Sequence, residues 1–89
     1  MTVTDNEAAG RFEIEVDGEV AGYAEYTRRP GVVTFTHTVV EDAYEGRGVG
    51  SALVRGALDA VRAEGSRVVP VCPFVRSYIE RHPEYADLR

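Results

Sequence analysis

Apolar and polar residues alternate from Phe12 onward: Phe12, Ile14 and Val16 are separated by Glu13, Glu15 and Asp17. That period of two marks a strand with one buried face. Asp17-Gly18 follows, a pair suited to a two-residue hairpin turn because both positions tolerate positive φ. Residues 19–27 resume an extended pattern with Val20, Tyr23 and Tyr26, and Arg29-Pro30-Gly31 signals a second turn. Residues 32–40, rich in Val, Thr and Phe, read as a third strand.

The period then changes. Val49, Leu53, Ala57 and Val61 recur at a spacing of four, with Val54 and Leu58 beside them, so residues 48–64 form one apolar stripe of a helix. Gly65 stands where a helix-ending residue belongs. Residues 67–71 read as a short strand buried on both faces. Cys72-Pro73 breaks it and opens a second helix over 73–82, which His82-Pro83 ends. Residues 1–10 read as a loose, flexible tail, 11–89 as a single domain, and the last residues pack through Tyr85 and Leu88. The order β-β-β-α-β-α predicts an α+β fold. Three antiparallel strands lead into a βαβ crossover, which gives a mixed sheet with the long helix on it and a short C-terminal helix.

The chain has 89 residues, enough for one modest core. Its net charge is −5, and all ten basic residues are Arg. An acidic chain without basic clusters is a poor nucleic-acid ligand, because neutralising phosphate drives that binding. The single cysteine, Cys72, excludes an internal disulfide and suits a reducing cytoplasm. No apolar run approaches the ~20 residues of a spanning helix, so a membrane partner is not expected. A monomer or weak homodimer is expected. No His, Cys or carboxylate set has metal-ligand spacing.

The central motif is Glu45-Gly46-Arg47-Gly48-Val49-Gly50-Ser51, between a strand and a helix. A helix start offers free backbone N–H groups and partial positive charge, which suit a phosphate, and glycines let it approach the backbone. Arg47 adds a charged donor. A P-loop needs a Lys that this chain lacks, and a dinucleotide fold needs a glycine where Leu53 stands. A flexible loop that merely starts a helix is the remaining alternative.

The motif resembles the pyrophosphate loop of the GNAT superfamily of acetyl-CoA-dependent N-acetyltransferases, with Glu45 where the family pattern begins with Gln or Arg. The resemblance extends over roughly residues 12–88 to the minimal, single-domain branch of that superfamily. It is carried also by His37-Thr38, Cys72-Pro73-Phe74-Val75, Tyr78-Ile79 and His82-Pro83-Glu84-Tyr85. It implies that the amides of Gly46, Arg47, Gly48, Val49, Gly50 and Ser51 hold the pyrophosphate of acetyl-CoA. It further implies that two parallel strands splay apart, and that the gap takes the pantetheine arm against the backbone of Val39 and Val40. Val39 stands where the branch usually has Glu. The N-terminal helices with which larger GNAT enzymes wall off the acceptor are not expected here, so the acceptor side should be open to a protein amine, a polyamine or a small metabolite.

Transfer to an amine needs a base and a donor for the developing charge. Cys72, at a strand end and a helix start, is a candidate nucleophile or orienting group, with a buried packing residue as the alternative. His37 is a candidate base or a satisfied sheet histidine. His82 reads as a helix-end cap. Tyr78, by the same resemblance, could reach the leaving thiolate or pack in the core. Glu41, Asp42 and Glu45 could attract a cationic acceptor or simply be solvated. The resemblance implies an acetyl-CoA-dependent N-acetyltransferase acting on an amine, with these residues as the candidates for its chemistry. A non-catalytic CoA-binding or acyl-sensing module, or an interaction domain that keeps only the fold, are the rivals.

Overall fold

A computed structural model describes residues 1–89. Five strands form one sheet in chain order: β1 (Thr2–Asn6), β2 (Arg11–Val16), β3 (Glu19–Arg29), β4 (Val32–Val40) and β5 (Arg67–Pro70). The first four are antiparallel, and β5 runs parallel to β4. Helix α1 (Val49–Ala63) links β4 to β5, α2 (Pro73–Arg81) follows, and a 3-10 segment, Pro83–Leu88, closes the chain. The β2–β3 turn carries positive φ at both Asp17 (53°) and Gly18 (82°), as that dipeptide allows. Gly65, at φ 79°, ends α1, with its N–H donating to Arg62 and that of Ser66 to Val61. No helix is long and apolar enough to cross a membrane.

The core lies between one face of the sheet and α1. Phe12, Tyr26 and Phe35 form an aromatic cluster with centroids 5.3, 6.0 and 6.3 Å apart. Leu53, Val54, Ala57, Leu58 and Val61 of α1 are buried in the same core. The opposite face carries no helix. Val69 on β5 is 45% exposed, so β5 is buried on one face and not on both. A short run of apolar residues does not distinguish those two cases when β-branched residues also suit a half-exposed strand.

Residues 1–10 are not a loose tail. Thr2–Asn6 pair with Arg11–Glu15 as an edge strand, and Asn6 caps the Glu7–Ala9 turn by accepting from the Ala9 N–H at 3.2 Å. The strand docks through Val3, which sits so close to Gly56 of α1 that a Cβ there would lie 2.7 Å from it. One apolar residue among polar ones leaves no alternation to read, and the notch that receives it is on a distant helix. Asp5 completes the attachment by accepting from Tyr26 Oη and from Arg28 Nη2.

Arg28 also donates to Glu64 at the end of α1, at 2.6 and 3.2 Å. That bond, then one from Ser66, holds the Glu64 carboxyl below its ordinary range, and Arg11 followed by Asn6 does the same for Glu13. Carboxyls depressed by folding contribute stability above their unfolded pKa and lose it as pH falls through the folded one. The urea midpoint is therefore expected to be flat from pH 8 to about 5 and to fall below about 4.5. Arg28→Met should flatten part of that acid limb, while costing about 1 kcal/mol or less at neutral pH for so accessible a pair. An unchanged acid limb would remove Glu64 from the explanation.

Candidate functional site

The site begins with a register shift. β3 and β4 pair as Tyr26 with Phe35 but as Glu25 with His37, so Thr36 is an inserted bulge residue. Without it, His37 would share the core face with Val33 and Phe35. With it, Thr38 and Val40 turn to the α1 side of the sheet, opposite Ala24 and Gly22, while His37 and Val39 turn to the uncovered face. His37 is exposed there, with Nδ1 3.4 Å from Glu25 Oε1.

β4 then loses its parallel neighbour. Pairing with β5 covers only Val32–Phe35 against Arg67–Pro70. The Cys72 N–H donates to the Phe35 carbonyl at 2.9 Å as β5 gives way to α2. Beyond that bond the two strands part, which leaves Thr36–Val40 as a free backbone edge facing the gap. A peptide-like arm can pair with such an edge.

The glycine-rich loop closes the cleft. Gly46 and Gly48 have φ of 77° and 74°, a region that disfavours any side chain, and Gly48 is the N-cap of α1. No side chain caps this helix start; the first intrahelical bond is Ala52 N–H to the Gly48 carbonyl at 3.1 Å. The N–H groups of Val49, Gly50 and Ser51 are therefore free of intrahelical partners. A Cβ at Gly46 or Gly48 would meet open space, whereas one at Gly50 would lie 2.9 Å from the Phe74 ring. The first two glycines thus allow the backbone path, and the third lets α2 approach α1.

The cavity so formed has a volume of about 420 Å³. Of the residues expected from the sequence, Val40, Gly46, Gly48, Val49, Gly50 and Ser51 line it. Thr38, Tyr44 and Phe74 line it too, with no role foreseen for them. The signal for Phe74 was an aromatic on the exposed side of a short helix; the signal for Thr38 was hidden by the bulge. Glu45 also lines the cavity, so the one carboxylate of the acidic cluster that reaches the site works against a phosphate. Glu41 and Asp42 are exposed beside it.

The other expected residues do not line the cavity. Arg47 is exposed, its guanidinium 5.3 Å from the Tyr44 ring centroid. Val39 and His37 lie on the uncovered face. Cys72 is buried as the N-cap residue of α2, 3.4 Å from Thr38 Oγ1. Tyr78 is turned away: its ring stacks on His82 at 3.9 Å and packs against Tyr85, and burial raises its phenol pKa. His82 Nδ1 meets the Tyr78 carbonyl at 2.8 Å, which accounts for it as a helix-end cap.

A strand-to-helix glycine loop beside two parting parallel strands defines a class. The chain belongs to the GCN5-related N-acetyl-transferase family, whose sequence pattern matches residues 11–88. Among individual relatives, it is 36% identical to Protein NATD1 of Homo sapiens and of Gallus gallus over 52 residues. Those stretches cover 58% of this chain and 46% and 47% of the relatives, so the matched part is about half their length. Its fold is similar to that of a GCN5-like protein from Staphylococcus aureus solved by NMR (TM-score 0.72, 21% identity, 98% of this chain and 85% of that one). It is also similar to the ribosomal-protein-S18-alanine N-acetyltransferase of Escherichia coli (TM-score 0.68, 18% identity, 80% and 49%).

Proposed function

We propose that this chain is an acetyl-CoA-dependent N-acetyltransferase that passes the acetyl group directly to an amine. The observation that carries the reading is the continuity of the cleft. Free amides of Val49, Gly50 and Ser51 at one end are joined by Val40 and Thr38 to the free edge of β4 at the other. The amides, with those of Gly46, Arg47 and Gly48, suit the diphosphate; the edge of β4 suits the pantetheine amides; Phe74 and Val40 supply apolar walls. Acetyl-CoA brings an activated acyl group, and the protein's part is to hold its thioester where an amine can attack.

The acceptor reaches the thioester from the uncovered face of the sheet. His37, exposed there beside Glu25, is the group placed to take the amine's proton. Direct transfer is favoured over an acetyl-cysteine because Cys72 is only 4% exposed and lies behind Thr38. The test is release of CoA thiol in the presence of a panel of polyamines, lysine peptides and small amines, with intact mass of the chain in parallel. Acceptor-dependent release, retained in Cys72→Ser and with no acetyl found on the chain, is expected. Binding without release for every acceptor would leave a CoA-binding module instead.

A further inference from the structure

Resting on the transfer reading, we infer that Thr38 is the group that protonates the leaving sulfur, and that Cys72 is its positioning partner and not a nucleophile. Three observations meet here. Thr38 lines the cleft on the stretch of β4 that has lost its strand partner. Its Oγ1 is 3.4 Å from Cys72 Sγ, which does not line the cleft. Of the other hydroxyls, Tyr78 is held against His82 and Tyr85, Tyr44 Oη donates to Glu19, and Ser51 lines the cleft at the start of α1, where the diphosphate is proposed to lie.

A thiol is a weak donor and a hydroxyl is both donor and acceptor. If the Cys72 S–H donates to Thr38 Oγ1, the Thr38 O–H is left to point into the cleft. Thr38 reaches that position only because the Thr36 bulge turns it inward.

The step balances without a further reactant. The amine nitrogen attacks the thioester carbon, the carbon–sulfur bond breaks, and the amine's proton passes to His37 and from there to water. The leaving sulfur takes the Thr38 hydroxyl proton, and the Thr38 oxygen recovers one from water in the open cleft, while the Cys72 S–H, donating to that oxygen, keeps the hydroxyl aimed at the sulfur. Cys72 ends each cycle as it began, never acylated.

The experiment compares Thr38→Val, Thr38→Ser, Cys72→Ala and Cys72→Ser with the wild-type chain, using the best acceptor from the amine panel. Thr38→Val and Cys72→Ala should lower kcat by about a hundredfold, the low end for positioned proton transfer, with KM for acetyl-CoA changed less than about threefold. Both Ser variants, which keep a proton donor, should retain most activity. The Thr38→Val/Cys72→Ala double variant should be no slower than either single one, because the two act as a unit. A second readout is independent of turnover. Cys72 is the only cysteine, so the S–H stretching band in the infrared reports it alone, and that band should move to higher frequency in Thr38→Val but not in Thr38→Ser. Normal kcat in Thr38→Val, or an unmoved band, overturns the relay while acetyl transfer stands. No thiol release by the wild-type chain overturns the transfer reading, and the relay with it.

Discussion

Gly48→Asp is expected to weaken acetyl-CoA binding at least about a hundredfold while leaving the chain folded. A Cβ at Gly48 meets nothing within 4 Å, so the new side chain fits without displacing any neighbour. The φ of 74° costs an L residue roughly 1–2 kcal/mol, and Asp is among the residues that tolerate this region best. That is a fraction of the ~5–15 kcal/mol that holds a domain together. The carboxylate, however, stands at the start of α1, where the diphosphate is proposed to lie. Two unit charges 4 Å apart at an effective dielectric of about 20 repel by about 4 kcal/mol. The reverse change should have the reverse sign. Glu45→Gln removes the carboxylate already on the cavity wall and should tighten binding several-fold, most clearly at low salt. Gly50 is less suited to the experiment, because any side chain there strikes Phe74 and confounds packing with charge. Equal affinity in Gly48→Asp and the wild-type chain, by calorimetry, would dismiss the loop as the phosphate site.

Phe35→Ala should be the most destabilising of the single changes considered. The ring is 1% exposed, packs with both Phe12 and Tyr26, and belongs to one of the two buried phenylalanines of the core. Such truncations cost about 3–5 kcal/mol, transfer and cavity terms together. At roughly 4–8 °C per kcal/mol for a domain of this size, the thermal midpoint falls by well over ~10 °C. Phe35 is also the last β4 residue paired with β5, and its carbonyl accepts from Cys72. The cleft should therefore loosen before the rest of the sheet, and acetyl-CoA should rescue part of the loss by mass action. Val39→Ala, on the uncovered face, is the control and should change the midpoint little. A Phe35→Ala chain that melts within ~2 °C of wild type would mean the aromatic cluster is not the centre of the core.

Much of this architecture is legible in the sequence because strong local signals agree with the tertiary structure. Asp17-Gly18 makes the turn it predicts, and Val49, Leu53, Ala57 and Val61 face the core as their spacing requires. The glycines of the loop adopt the positive φ that explains their presence at Gly46 and Gly48. What the sequence hides is non-local. β1 is fixed by Val3 meeting Gly56, two residues with nothing between them in the chain to announce the contact. The orientation of His37 depends on a bulge at Thr36, and a one-residue insertion leaves no mark on composition while exchanging the faces of every residue after it. That is why His37 faces the open side and Thr38 the cleft. The resemblance offers Tyr78 two places, beside the leaving thiolate or in the core; the ring stacks on His82 and packs against Tyr85, a non-local arrangement that its position in α2 alone does not encode.

Calorimetric titration of acetyl-CoA into the purified chain tests the cleft most directly. Saturable binding of one acetyl-CoA per chain is expected, weakened by salt because the ligand is anionic, and lost in Gly48→Asp. A flat titration at millimolar acetyl-CoA, with the chain shown to be folded in the same buffer, would contradict it and leave a domain that keeps the fold for interaction alone.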